Sequence, residues 1–165
     1  MKRIALTHQE FVSEGVPAAL HLNARTQTDF ERWTAYIAER SEVTDVAFEF
    51  TTGTRRAERR GQYVAWLVEL ADRVQRPLNI FLRGGTEILP MLAGAYQRIT
   101  VLDTNGFMKT TKRMRASLDE AGKITWRSSP TGQDESLDGL LASNLSVASE
   151  SIMRRHGTAE PAEAP

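Results

Sequence analysis

Residues 78–86 read Leu-Asn-Ile-Phe-Leu-Arg-Gly-Gly-Thr, a short apolar run that ends in a polar, glycine-rich cluster. Three other apolar runs of the chain end in polar clusters, at 21–25, 48–52 and 102–106. Each run predicts a β-strand followed by a helix, and the repetition predicts parallel strands joined by helical crossovers. Ligand crevices of parallel α/β sheets lie at the carboxyl ends of the strands, which is where these clusters fall.

The composition restricts the classes of protein and of site. The 165 residues are 41% hydrophobic and 25% charged, as in ordinary globular domains, and the formal net charge is zero. A neutral chain has no global field that recruits nucleic acid or an anionic membrane. The absence of cysteine excludes disulfides, thiolate zinc sites and cysteine nucleophiles. With no secretion signal and no run of ~20 apolar residues, we expect a cytoplasmic protein without membrane contact.

Hydrophobic periodicity predicts a single α/β domain over residues 1–155, with a βα core at about 18–121. The core strands are predicted at 18–24, 43–50, 78–82 and 99–102, and the core helices at 29–40, 61–75, 86–95 and 107–121. A capping box of Thr28 and Glu31 predicts that the first of these helices begins at Asp29.

The two ends of the chain are predicted separately. Residues 3–6 predict a short strand, and 9–14 a helical turn or loop. A further strand at 123–128 and a terminal helix complete the segment 123–155, and the polar tail 156–165 is predicted to be disordered.

Alternation of polar and apolar residues distinguishes a barrel segment from an open sheet. His21, Asn23 and Arg25 share one face of the first strand, and the apolar residues between them share the other. Central strands of a three-layer sheet are apolar on both faces. We therefore predict a partial TIM-barrel-like fold, a half-barrel with a C-terminal helix; the alternative is an open α/β three-layer sheet.

A half-barrel has consequences for association. A complete barrel takes about 250 residues, so four or five βα units leave an inner face that needs a cover. We expect a homodimer or a larger partner protein to complete the barrel, unless the chain is a fragment of a longer protein.

The turn after the third strand is the sharpest local motif. Gly84 and Gly85 let the backbone approach a ligand, Thr86 begins a helix whose free amides favour anions, and Arg83 adds a guanidinium. The spacing matches neither common nucleotide-binding glycine motif. The alternative is a tight strand-to-helix turn that needs glycine for its own geometry.

Two carboxylates are the candidate catalytic groups, Glu49 and Asp103, because both lie at predicted strand ends. They would move a proton, or hold a divalent metal together with Asn23 or His21. Asn23, Arg25 and Thr51 would orient the substrate. The alternative is that each carboxylate pairs with Arg25 or Arg83 in an ion-pair network. The sequence identifies no particular metal or cofactor.

Two basic clusters follow strand ends and are candidates for a phosphate-rich ligand or nucleic acid. The alternative is a solvated loop and a solvated helix face. The clusters consist of Arg55, Arg56, Arg59 and Arg60, and of Lys109, Lys112, Arg113 and Arg115.

Four segments together resemble an uncharacterised family of TIM-barrel-like domains encoded by bacteria and their mobile elements. These segments are Leu-His-Leu-Asn at 20–23, Phe-Glu-Phe at 48–50, Arg-Gly-Gly at 83–85 and the helix at 137–144. The resemblance spans roughly residues 18–145 and implies a barrel-like fold, without assigning a catalytic residue.

These observations lead to two functional hypotheses. The first is an enzyme or ligand-binding domain that acts on an anionic or phosphorylated small molecule at the strand carboxyl ends. The second is a non-catalytic interaction module, or a subunit of a larger assembly that handles nucleic acid, with the basic clusters as its contact surface.

Overall fold

The computed structural model describes residues 1–50, 57–132 and 135–157. The chain divides into two compact units, Met1–Leu102 and a second that begins at Asp103. The predicted α/β fold of parallel βα repeats with a C-terminal helix is confirmed. This division does not test whether residues 1–155 form a single domain, which stays a prediction.

The first unit is a four-stranded parallel sheet whose strand order, β1-β2-β3-β4, follows the chain. Val46 lies opposite Leu20 on one side and Ile80 on the other, which fixes the register. Neighbours in the chain are neighbours in the sheet, as in a segment of a barrel. Its elements are α1 (Lys2–Ser13), β1 (Leu20–His21), α2 (Gln27–Ala38), β2 (Asp45–Glu49), α3 (Ala57–Val74), β3 (Asn79–Arg83), a 3₁₀ turn (Thr86–Ile88), α4 (Leu89–Leu92) and β4 (Arg98–Leu102).

The core of this unit lies on one face of the sheet. Val46, Phe48, Ile80 and Leu82 are buried there against apolar residues of α2 and α3. The alternate residues of β2 and β3 are half-buried or exposed, and none of them belongs to the core. A three-layer sheet would bury both faces of its central strands, so the alternative of an open three-layer fold is not supported.

Helix α2 begins two residues earlier than predicted. Its N-cap is Thr26, whose hydroxyl accepts a hydrogen bond from the amide of Asp29, while the Asp29 carboxylate accepts one from the amide of Thr26. The capping box predicted at Thr28 and Glu31 is therefore wrong in position, because Asp29 serves as well as a glutamate at the third helical position.

The strand predicted at residues 3–6 was wrong, because these residues belong to α1. The same helix continues through most of the helical turn or loop predicted at 9–14 and ends at Ser13. Ala5 and His8 are buried at helical spacing, and the His8 ring nitrogen Nε2 lies 3.2 Å from the carbonyl oxygen of Ala18. Because His8 is polar, the buried face of α1 does not show the regular spacing of apolar residues that predicts an amphipathic helix.

The second unit contains α5 (Asn105–Thr110), β5 (Met114–Leu118), β6 (Ile124–Ser128) and α6 (Asp138–His156). The helix predicted at 107–121 was wrong in its second half. Residues 114–118 alternate buried and exposed side chains, and they pair antiparallel with β6, the strand predicted at 123–128. Arg113 adopts a positive φ of 52° where the chain leaves the helix. Gly122, with φ of 73°, lies in the turn between the strands.

Asn144 joins the elements of the second unit. Its fully buried carboxamide accepts a hydrogen bond from the amide of Ala116 and donates to the Thr110 hydroxyl and the Met114 carbonyl oxygen, at 2.7–2.8 Å. One side chain of α6 therefore binds α5 and β5 together.

Three predictions fall wholly or partly on residues that the structure does not describe. Thr51, Arg55 and Arg56 lie outside the described residues, as does the tail from 158 onward. Helix α6 continues to His156, the first residue of the predicted tail. In the described part of the chain, no helix is long and apolar enough to cross a membrane.

Candidate functional site

A cleft of about 710 Å³ opens at the carboxyl ends of β1 and β2, between the segment that follows β1 and the first half of α3. This is the place that the polar strand ends predicted. The described residues that line it are His21, Leu22, Asn23, Ala24, Arg25, Thr26, Gln27, Phe48, Glu49, Arg59, Gln62, Tyr63 and Trp66.

The segment after β1 supplies the polar wall. The amide of Leu22 still donates to the carbonyl oxygen of Ala47 in β2, so the chain stays on the sheet for one residue beyond β1. Leu22 and Ala24 are buried, whereas His21, Asn23 and Arg25 are exposed. The predicted alternation therefore holds past the end of the strand, and it turns three polar side chains away from the core.

Aromatic rings form the opposite, apolar part of the cleft. The Trp66 ring centroid lies 5.3 Å from that of Phe30 and 5.6 Å from that of Tyr63, with edge-to-face geometry in the second pair. Tyr63 also donates a hydrogen bond of 3.2 Å from its hydroxyl to the carbonyl oxygen of Arg25. Packed rings have few conformations, and this bond fixes the polar wall to α3.

Glu49 is the one carboxylate among the described lining residues, and it forms an ion pair with Arg83 at 3.2 Å. The two residues lie directly opposite each other in β2 and β3, so the sheet register places them together. This pair is the alternative that the sequence left open for Arg83. The glutamate lies in the cleft, and the arginine holds it from the next strand.

The N-terminus of α2 borders the cleft, but backbone amides there already bind a carboxylate. The carboxylate of Asp29 accepts hydrogen bonds from the amides of Arg25 and Thr26 and from the Thr26 hydroxyl. These bonds lower the pKa of Asp29, the bond from the Arg25 amide contributing most. A second anion at the cleft would therefore be bound by side chains rather than by these amides.

The described residues that line this cleft do not include Gly84, Gly85 or Thr86. Gly85 has a φ of 71°, and a Cβ atom there would lie 3.0 Å from Cγ of Phe50. Glycine at this position is thus explained by its turn and by the ring packed against it, as the alternative reading of the motif holds. The helix that follows is a short 3₁₀ turn and one turn of α4.

Asp103 belongs to the second unit, whereas Glu49 belongs to the first. The Asp103 carboxylate accepts a hydrogen bond of 2.7 Å from the amide of Asn105 at the start of α5. In the described residues, no group of three histidine, aspartate or glutamate side chains converges as a metal site.

The sequence patterns missed the contribution of α3. Arg59, Gln62, Tyr63 and Trp66 follow one another at helical spacing, so one face of α3 lines the cleft. The helix was predicted to begin at Gly61, which left Arg59 in a loop; the same spacing, read four residues earlier, would have found this face. Arg60, its neighbour, instead forms an ion pair with Glu87.

Comparisons of the chain with protein-family models, with curated proteins and with solved structures found no match. The resemblance to the TIM-barrel-like family stays a prediction.

Proposed function

We propose that the first unit binds an anionic, phosphorylated small molecule in the cleft at the carboxyl ends of β1 and β2. The observation that carries this proposal is the lining: Arg25 and Arg59 belong to a cleft whose one described carboxylate, Glu49, pairs with Arg83. A phosphate group accepts charge-assisted hydrogen bonds from guanidinium groups, and the lining carries one such group on each of two walls.

The remaining lining residues favour a ligand larger than inorganic phosphate. Asn23 and Gln62 are exposed carboxamides that both donate and accept hydrogen bonds. Trp66, which is half-buried, adds an apolar surface on which a ring or a carbon chain can pack. A cleft of about 710 Å³ lies within the usual range for small-molecule sites.

Glu49 is the group that we assign to proton transfer in this proposal, should the bound molecule be a substrate. The Arg83 contact holds its carboxylate in one orientation, while the side chain remains 28% exposed and accessible. Asp103 has no part in this assignment, since it does not line the cleft and its carboxylate accepts a hydrogen bond from the amide of Asn105.

Titration with pyrophosphate, followed by ¹⁵N nuclear magnetic resonance, tests the binding proposal. We expect shifts at the Trp66 indole and at amides 21–27. An Arg25→Gln or Arg59→Gln variant should bind pyrophosphate more weakly by about tenfold or by a larger factor. Arg73→Gln is the matched control, because Arg73 is an exposed arginine of α3 that pairs with Glu69 and does not line the cleft.

Two results would contradict the proposal. One is the absence of shifts around the cleft at millimolar pyrophosphate. The other is equal weakening by the Arg73→Gln control, which would mean that only the net charge of the protein matters.

A further inference from the structure

The β5–β6 hairpin of the second unit has one polar, carboxylate-free face. Arg115 lies directly opposite Arg127, and Ser117 lies directly opposite Thr125, so the four side chains share a face. All four residues are exposed. The two hydroxyls lie 2.8 Å apart and bond to each other. We call these four residues the ribbon face.

The charges on the ribbon face are not balanced by the described residues. Like charges directly opposite each other on a hairpin repel, yet Arg115 and Arg127 form no ion pair with any residue the structure describes. Among the residues that the structure describes, the Arg115 side chain has one hydrogen-bond partner, the hydroxyl of Ser143 at 3.4 Å. Such an arrangement costs stability in the isolated protein and favours an anionic partner.

Charge is also segregated along the hairpin. Lys112 and Arg113 come just before β5, beside the strand ends that hold Arg115 and Arg127. The turn at the far end carries two acidic residues and Lys123, and the carboxylate of Asp119 accepts hydrogen bonds there from two backbone amides. The open end of the hairpin therefore carries four cations and the turn a net negative charge, which gives a local field although the whole chain is neutral.

The opposite face holds the hairpin in place. Ala116 is buried on that face, and its amide donates to the Asn144 carboxamide of α6. Trp126, directly opposite Ala116, has the Lys109 ammonium 5.7 Å from its ring centroid. The ribbon face is thus presented by a hairpin that is fixed from behind, so that little order has to be gained on binding.

We propose that the ribbon face binds duplex DNA in the major groove. A two-stranded antiparallel ribbon fits that groove, which is about 12 Å wide in B-form DNA, and arginine, serine and threonine are side chains that contact base edges and phosphates there. The major groove of duplex RNA is too deep and narrow for such a ribbon. The proposal is independent of the cleft in the first unit.

Fluorescence anisotropy with a labelled 20-base-pair DNA duplex at low salt tests this proposal on the full chain. We expect DNA binding that weakens steeply as salt is added. The Arg115→Gln/Arg127→Gln variant should bind the duplex more weakly by about tenfold or by a larger factor. The matched control is Arg154→Gln/Arg155→Gln, which removes the same charge from the end of α6. Circular dichroism checks that both variants keep the fold.

The proposal is overturned if the wild-type chain does not bind the duplex, or if the two double variants lose affinity equally. It is also overturned if a duplex RNA of the same sequence, or an anionic lipid vesicle, binds as tightly as the DNA and depends equally on Arg115 and Arg127. Preference for DNA, lost in the ribbon-face variant and kept in the control, supports it. None of these outcomes depends on pyrophosphate binding at the cleft.

Discussion

Gly85 adopts the left-handed conformation, with φ of 71°, and the side chain of Phe50 lies next to the position where a Cβ atom would be. A Cβ atom at this position meets two penalties, the backbone strain of a positive φ and a distance of 3.0 Å to the ring. The contact is part of how the end of β2 is joined to the turn after β3.

We predict that Gly85→Ala lowers the free energy of unfolding by about 1–3 kcal/mol, measured by urea denaturation. Gly15→Ala is the matched control, because Gly15 has nearly the same φ, 70°, and open space where its Cβ would lie. The excess loss at Gly85 measures the contact with Phe50. Equal losses in the two variants would show that the ring does not fix glycine at this position.

Asp29 makes the stability of α2 depend on pH. Its carboxylate binds the amides of Arg25 and Thr26 in the folded state, and its pKa is lowered from 3.8. A group whose pKa falls on folding stabilises the protein above its unfolded pKa, and that contribution is lost as pH falls through the folded value.

We therefore predict that Asp29→Ala costs about 1 kcal/mol at pH 7 and progressively less below about pH 4. Urea denaturation of both proteins across this range measures the difference. Asp72→Ala is the control, since Asp72 is exposed on α3 and its carboxylate has no hydrogen bond among the described contacts. A difference for Asp29→Ala that stays constant with pH would rule out an ionised cap.

At the scale of elements, the second unit depends on a buried polar group rather than on a large apolar core. Asn144 and Ser151 are both fully buried on α6, and Ser151 donates to the carbonyl oxygen of Gly122 at the hairpin turn. The helix is therefore joined by hydrogen bonds to both ends of the hairpin. Such bonds specify one register, because a slip would leave buried polar groups unpaired.

We predict that Asn144→Leu destabilises the second unit by about 3 kcal/mol, since the amide of Ala116 and the carbonyl oxygen of Met114 lose their side-chain partner. Hydrogen exchange at the Ala116 amide should accelerate by roughly a hundredfold, following that free energy. Ser149→Leu places the same side chain on an exposed position of α6 and should leave this exchange unchanged. Slow exchange in Asn144→Leu would mean that apolar packing alone orders the hairpin.

The elements that the sequence predicted are those whose period is determined by one buried face. Strands β2 and β3 alternate strictly, and α2 and α3 repeat at helical spacing, so their existence followed from local pattern. The boundaries moved by a few residues, as at Thr26, which caps α2 two residues before the capping box predicted at Thr28.

The elements that the sequence missed depend on distant partners. In residues 114–118 the alternation was present but short, and it followed a helical segment without a break. What makes these residues a strand is pairing with β6 and the bond from Asn144, 28 residues away from Ala116. A local window carries no information about such a partner.

The residues of the candidate site divide in the same way, into those predicted from local pattern and those that depend on partners distant in the sequence. Asn23 and Arg25 were found from alternation, and Glu49 from its place at a strand end. The partnership of Glu49 with Arg83 depends on the register between β2 and β3, which the sequence did not specify. Arg59 was assigned to a loop because its helix was thought to begin later.

At the scale of the molecule, the first unit has a sheet with one apolar face in the core and one mixed face outside it. Phe81 and Thr100 are half-buried on that second face, and Leu102 beside them is 47% exposed. Both outer strands, β1 and β4, also leave one backbone edge without a strand partner among the described residues. Free edges and exposed apolar residues favour association with another chain.

We predict that the chain forms a homodimer through this mixed face, so that light scattering gives about twice the 18.5 kDa of one chain. Leu102→Glu should return the mass to that of a monomer with unchanged circular dichroism, because a carboxylate would be buried at the interface. Met91→Glu changes a side chain that is 61% exposed on α4, and it should leave the dimer intact. A monomeric wild-type chain would contradict completion by a second copy and leave a larger partner protein as the cover of this face.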